Sequence, residues 1–324
     1  MLDISETFAR RTTGTPVKLA LGTMNFGKRT PAADGERIIH RALERGITVF
    51  DTANAYCDGA SEEILGRALK GKRDRAIVAT KVGFGRVGGK PEGLAPERVA
   101  AALDESLRRL QIDVVDVYYL HVPDPATPIE ATLEAIGRAM TAGKVRAFGV
   151  SNYASWQILE IFNACDAAKM PRPVVAQQLY NLLIRQLDLE YFRFATKYAL
   201  HTTVYNPLAG GLLTGRYAPS ASIQKGTRFD KNRLYQGRYW SERMLGFAAE
   251  LADVAGAEGM SPVDLAYAWL GGRPEVDSIL LGPASLEHLD DALGAVTKTV
   301  TPEGREKIEK LYAGFTGTET SYAR

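Results

Sequence analysis

Cysteine, histidine and excess charge are all scarce in this chain of 324 residues, and each scarcity excludes something. Two cysteines, Cys57 and Cys165, cannot build a disulfide framework. Free thiols in a reducing, cytoplasmic setting are expected. Four histidines, with no His-Glu-x-x-His and no Cys-x-x-Cys pattern, leave no visible metal-ligand set. Lys plus Arg is 40 and Asp plus Glu is 38, a formal charge of +2. That balance gives no argument for nucleic acid, a membrane surface or another polyanion as partner. Long apolar runs are missing too. The uncharged stretch 202–215 is short and broken by Pro207 and three glycines, so no membrane span is expected. Residues 1–11 carry Asp3 and Glu6 and no apolar core of a secretory leader. There is no G-x-S-x-G elbow and no P-loop.

What is present is an ordinary globular composition, 45% hydrophobic and 24% charged. Length alone suggests roughly two domains, but no linker or composition shift marks a boundary, so 1–324 is read as a single domain. Apolar runs and helical patterns alternate from end to end. Strands are predicted at 17–21, 48–50, 76–80, 114–120, 145–150, from 174, at 202–205 and at 278–281. Between them lie helical patterns. One opens at Thr30-Pro31 with Ile38, Ile39, Ala42 and Leu43 on one face, and another opens at Pro96. A third has Thr127 as its N-cap, Pro128 in its first turn and Gly143 as its stop. The rest run over 61–69, 153–167, 188–199, 241–255, from Ser261-Pro262, and 285–296, with a long irregular stretch at 206–239. Parallel neighbours need crossover helices, and eight such units sharing one core predict a closed (β/α)8 TIM barrel.

One motif misleads. Residues 83–88 match G-x-G-x-x-G directly after a predicted strand. A dinucleotide fingerprint needs a helix opening at its glycines, and here the next helix waits until Pro96. The segment is read as a flexible Gly-rich loop.

Barrel chemistry lies at the C-terminal ends of the strands. Polar residues there are Asp51 with Tyr56 in the same loop, then Lys81, His121, Ser151 with Asn152, Gln177 and Tyr205. Asp51, Tyr56, Lys81 and His121 on three neighbouring rims form a coherent set. Asp51 would keep Lys81 charged and aimed, and the ammonium would lower the Tyr56 pKa toward neutrality. His121 would bond a substrate oxygen, making a general acid poised over a carbonyl.

These residues resemble the catalytic tetrad of the aldo-keto reductase family. The segments 119–128, 151–156, Gln177-x-x-Tyr180-Asn181 and 205–215 resemble its aflatoxin-aldehyde and succinic-semialdehyde reductase branch. The resemblance implies NADPH-dependent reduction of aldehydes or ketones, with Tyr56 as proton donor and the cofactor across the barrel mouth. Gly22, Thr23, Met24 and Asp51 would lie near it, and Ser151, Asn152 and Gln177 would hold the carboxamide. Tyr205 would stack on the nicotinamide. Asn206, Pro207, Leu208, Gly210, Leu212 and Gly215 would wrap the pyrophosphate. Gly282, Ser285, His288 and Asp291 would take the adenosine end, with Ser285 at a helix N-terminus. The chain departs from the family at Ala176, Gly282, His288, Asp291 and Ala292, and Arg228 would supply the missing positive charge, which favours NADPH over NADH.

Tyr235-x-x-Arg238 and the terminal Arg324 resemble the branch's substrate-binding residues. Paired guanidiniums would favour aldehydes carrying a carboxylate. The branch also implies a possible homodimer. The competing reading is a cofactor-binding regulatory subunit of the same fold with little turnover. A Schiff-base aldolase would need a neutral lysine, which the pairing of Lys81 with Asp51 opposes. Trp156 and Trp240 are read as helix packing. A barrel of about 250 residues leaves roughly 70 over, placed in the lead-in, the 206–240 loop and the tail from 298.

Overall fold

The computed structural model describes residues 2–317. Eight parallel strands close into a barrel. They are β1 (Lys18–Gly22), β2 (Val49–Asp51), β3 (Ile77–Val82), β4 (Val115–Leu120), β5 (Val145–Ser151), β6 (Val175–Leu179), β7 (His201–Tyr205) and β8 (Ser278–Leu281). Each pairs with its chain neighbours, and β8 returns to β1 through Lys18↔Ser278 and Leu21↔Leu281. The helices are α1 (Ile4–Thr7), α2 (Ala32–Glu44), α3 (Ala60–Ala68), α4 (Pro96–Leu110), α5 (Ile129–Thr141), α6 (Ser155–Ala167), α7 (Tyr191–Lys197), α8 (Arg233–Tyr239), α9 (Glu242–Ala257), α10 (Pro262–Gly271), α11 (Leu286–Ala295) and α12 (Pro302–Thr316). No helix among the described residues is long and apolar enough to cross a membrane.

Periodicity accounts for the outer layer. Ile38, Ile39, Ala42 and Leu43 of α2 recur at helical spacing, and all four are buried. Each large one contributes about 1.5–3 kcal/mol by leaving water. Strand residues alternate, one set toward the helices and one toward the barrel axis. The axial set includes Ile77, Ala79, Val117, Tyr119, Ala147 and Val175, and Ile4 and Phe8 of the lead-in pack onto it from below. The lead-in is fixed there by Arg10, which pairs with Asp277 at 3.1 Å, and by the Arg11 amide, which donates to the same carboxylate.

Several local expectations change. Thr127 does not cap α5, because its hydroxyl donates to Asp124 at 2.8 Å. Asp124 also accepts the amides of Leu94 and Ala126, so it organises the turn that Thr127 was expected to start. Trp156 is 62% exposed on α6, contrary to the packing role expected of it, and Trp240 follows the end of α8 and packs against the loop residues Phe229 and Tyr217 rather than between helices. The stretch 206–239 is not all irregular, since it holds a tight turn at Ala209–Thr214 and the helix α8. Asn232 caps α8 by accepting the Tyr235 amide. The tail from 298 is mostly α12, whose Phe315 stacks on Phe247 of α9 at 4.4 Å.

The Gly-rich segment is ordered. Arg86–Val87 and Lys90–Pro91 pair as a short antiparallel ribbon. The buried Glu92 carboxylate accepts the Gly83 and Gly85 amides at 2.9 and 3.2 Å, takes the Asn54 amide and pairs with Arg98. One carboxylate replaces the phosphate such glycines would cradle in a dinucleotide fold.

Candidate active site

Strand register assembles the site. Gly22↔Asp51↔Ala79 and Lys81↔Tyr119 run across one side of the mouth, and Ser151↔Gln177 across the other. Lys81 is the penultimate residue of β3 rather than the start of a loop, so its stem is fully buried. Its ammonium pairs with Asp51. It also donates to the Thr52 carbonyl at 2.8 Å and the Tyr56 hydroxyl at 3.4 Å. The second Asp51 oxygen accepts from Gln177 Nε2 at 2.8 Å. Burial pushes Asp51 up and Lys81 down, and the contact of each with the other opposes that shift.

Tyr56 stands at the end of this chain, half-buried, its ring 5.0 Å from the Lys81 ammonium. The expectation of a lowered Tyr56 pKa fails. Burial pushes the phenol well above its ordinary value, and Asp51 and Tyr235 push it the same way, with Arg228 opposing. The physical reason is that burial disfavours the phenolate. Tyr56 therefore stays protonated, the form a proton donor needs. His121 lies edge-on to Tyr56 at 5.8 Å between ring centroids. Burial, reinforced by Lys81, holds the imidazole well below its usual range, so it is neutral. Its Nδ1 is buried without a hydrogen-bond partner among the described residues.

The expected cofactor residues divide into three groups. The first is brought together on the far rim. Asn152, in the left-handed region at φ 65°, donates to Ser151 Oγ and accepts from the Tyr205 hydroxyl at 2.7 Å. Gln177, by contrast, has its amide on Asp51 and supports the tetrad from behind. The second group is the segment after β7. Asn206 accepts the Gly210 amide at 2.8 Å and donates to the Tyr239 hydroxyl. Gly210, Gly211 and Gly215 have φ of 70°, 103° and 75°, and a Cβ on Gly210 would stand 2.7 Å from the Tyr235 ring. Pro207 and Leu208 start this curve, and Leu212 is buried under it. The third group lines β1 and β8. Gly22 ends β1, and Gly282 is exposed with open space where a Cβ would go. Ser285 caps α11 by accepting the His288 amide, and the His288 and Asp291 side chains are exposed on that helix. Thr23 is buried with its hydroxyl on Ser61 and the Asp51 carbonyl, so it shapes the floor and offers no free hydroxyl. Met24 is half-buried beside Cys57, and both cysteines are free thiols.

Arg228 crosses from the β7 loop to donate to Asn25 Oδ1 at 2.5 Å, and Asn25 in turn donates to the Gly282 carbonyl. Arg29 comes close enough to Arg228 for the two charges to repel, and it donates to the Gly226 carbonyl. Two guanidiniums, open glycine backbone and a capped helix start make a cradle that fits the phosphates of a dinucleotide. Tyr235 lies under Arg228, 5.2 Å from its guanidinium. Arg238 stands over Tyr235 and Tyr239 and next to Tyr205. Arg324 lies outside the described residues.

Sequence reasoning missed Asn25, Arg29, Phe84 and Glu92. Phe84, 51% exposed, has its ring centroid 5.1 Å from that of His121 and walls the approach to it. Its exposure beside a buried histidine is the only signal, and that signal is spatial. No set of three or more His, Cys, Asp or Glu that could hold a metal occurs among the described residues.

A closed barrel with a buried Asp–Lys pair, a neutral histidine and a protonated tyrosine at its mouth is the architecture of a carbonyl-handling oxidoreductase. The chain belongs to the aldo/keto reductase family, whose model matches residues 18–313. Members of this family generally use NAD(P)H. The chain is 38% identical over 296 residues to aflatoxin B1 aldehyde reductase member 2 from Homo sapiens, covering 86% of this chain and 81% of that one. It is 30% identical over 296 residues to a probable voltage-gated potassium channel subunit beta from Arabidopsis thaliana, covering 89% and 90%. Among solved structures, a glycerol dehydrogenase from Gluconobacter oxydans matches with a TM-score of 0.77 and 29% identity, over 98% of this chain and 99% of that one.

Proposed function

We propose that this protein reduces aldehydes or ketones to alcohols with NADPH, and that Tyr56 is the proton donor. The observation that carries the reading is the continuous contact chain Asp51–Lys81–Tyr56, with His121 beside the phenol. When bound, the dinucleotide supplies the hydride. The chain's own residues do the rest. Neutral His121 donates to the carbonyl oxygen and fixes its direction. The Tyr56 O–H gives its proton to that oxygen, and the Lys81 ammonium stabilises the phenolate left behind. Phe84 limits water at the approach. The Arg29 and Arg228 pair supports NADPH over NADH, because a 2′-phosphate relieves the repulsion between them. Arg238 beside Tyr205 supports a preference for aldehydes bearing a carboxylate.

The experiment is turnover of 4-nitrobenzaldehyde and succinic semialdehyde with either cofactor, followed by loss of reduced-cofactor absorbance. A lower KM for NADPH and a lower KM for the carboxylated aldehyde are expected. A lower KM for NADH would refute the cofactor assignment. The likeness to a potassium channel subunit beta supports one other reading, a cofactor-binding regulatory subunit. Tight dinucleotide binding without turnover on any aldehyde, ketone or dicarbonyl would favour it.

A further inference from the structure

The lower half of the barrel is underfilled. Barrels of this type are filled along the axis by layers of bulky branched side chains. Here Ala20 takes an inward position on the wall of the gap. A cavity of about 390 Å³ remains beside the lead-in segment. It opens at the N-terminal face, between the exposed Asp3 and Glu6 and the stem of Lys18. Thr48, Thr203 and Ser278 put hydroxyls along its wall. Its inner end is formed by Asp51, Tyr119 and Gln177, which is the underside of the tetrad. Val49 and Leu280, which line it from the inward face of their strands, keep partial exposure.

The wall is mixed, with Thr48, Thr203, Ser278 and Asp51 set among Leu2, Val49 and Leu280, and a cavity with several donors and acceptors holds water, whereas a wholly apolar one stays dry. At about 30 Å³ per molecule this volume takes roughly a dozen waters. We propose that the cavity is a water-filled conduit from the N-terminal face to Asp51, and that it returns a proton to the Asp51–Lys81–Tyr56 chain after each turnover. The proposal rests on the reductase reading above.

The proton balance is simple. The Tyr56 O–H bond breaks as its proton goes to the carbonyl oxygen. A Lys81 N–H then breaks and the phenolate is reprotonated across the 3.4 Å contact. A proton from the water column reaches Asp51 and passes to the Lys81 amine, leaving the carboxylate as it began. One solvent proton enters per carbonyl reduced, and no electrons move in these steps. Asp51 and Lys81 are both buried, and Lys81 meets the Tyr56 hydroxyl at 3.4 Å, so a proton delivered to Asp51 has a contact path to the phenolate. The wall does not trap the proton. His201 bonds Ser278 Oγ at 2.7 Å and the Ala9 carbonyl, and burial pushes its imidazole down to about 3, so it stays neutral. Lys18 is held at the rim on the Glu6 and Thr7 carbonyls, with the Asp277 and Glu6 carboxylates offsetting its charge.

Two measurements test this. A high-resolution crystal structure of the holoenzyme should show hydrogen-bonded waters running from the rim to Asp51, and a dry cavity would overturn the proposal. Thr203→Val removes a wall hydroxyl at constant shape, and Ala20→Leu fills the bore. Each should lower kcat at least about threefold, with KM unchanged and a larger solvent isotope effect in D2O than the wild type. Ala20→Leu can fail to fold, so Thr203→Val decides alone in that case. Wild-type kcat and a wild-type isotope effect in the folded variants would overturn the conduit. Absence of turnover in the wild type would instead sink the reductase reading, and the crystallographic waters would still judge the cavity.

Discussion

Replacing Asp51 by Asn keeps the side-chain shape and removes the charge that faces Lys81. The ammonium is then left in a fully buried position with only the Thr52 carbonyl and the Tyr56 hydroxyl as fixed partners. Lys81 and Gln177 donate to different oxygens of Asp51, and an amide can offer only one, so one donor loses its acceptor. Breaking a buried pair from one side costs about 3–5 kcal/mol, and the retained hydrogen bond places this variant at about 3 kcal/mol. At about 2–4 °C per kcal/mol for a large domain, Tm should fall by roughly 6 °C or more. The pH dependence has a definite sign. Burial lowers the Lys81 pKa in the wild type, and Asp51 is the main influence raising it back. Removing Asp51 lowers it further. The unfolded chain keeps its lysine protonated up to about 10.4, so it binds more protons than the folded variant and stability rises with pH toward that value. The gap between variant and wild type is therefore widest near neutrality and narrows as pH approaches about 10. Urea denaturation of both proteins at about pH 7 and about pH 9.5 reads it directly. Equal midpoints at neutral pH, or a gap that widens with pH, would refute the argument.

Three further outcomes follow from contacts at the mouth. Arg228→Ala removes one of two facing guanidiniums and the tie to Asn25, so the ratio of NADPH to NADH affinity should fall about tenfold or more, near 1.4 kcal/mol, as read by fluorescence titration. Gly210→Ala forces a Cβ to 2.7 Å from the Tyr235 ring at φ 70°, and it should weaken dinucleotide binding with little change in Tm; unchanged affinity would remove the cradle role. Glu92→Ala strips the buried Gly83 amide of its acceptor at a cost of about 1–3 kcal/mol. With Phe84 no longer held beside His121, KM for aromatic aldehydes should rise several-fold, and an unchanged KM would show that the ribbon has no part in binding.

The barrel was legible because its signals are local. Ile38, Ile39, Ala42 and Leu43 mark a helix face without reference to anything distant, and eight repetitions of strand and helix leave one closed arrangement. The grouping of Asp51, Lys81 and His121 was legible for a related reason, since each follows directly from an apolar run and the barrel carries those positions to one rim. What escaped depends on long-range partners. Glu92 orders the segment 83–93 from inside it, but its role rests on Asn54 and Arg98. Arg29 matters only because Arg228 arrives beside it from two hundred residues away. Thr127 had the right spacing for a cap, yet Asp124 three residues earlier competes for its hydroxyl. The direction of the Tyr56 shift was misjudged because a nearby cation was counted and the burial of the phenol, which depends on the folded chain, was not.

The central claim is that Tyr56 supplies the proton, and Tyr56→Phe tests it most directly. The phenyl ring keeps the edge contact with His121 and removes only the hydroxyl. With aldehyde and reduced dinucleotide saturating, kcat should fall by about 10²–10⁴-fold while the dinucleotide Kd stays unchanged. Retention of most of the wild-type kcat by this variant would contradict the account.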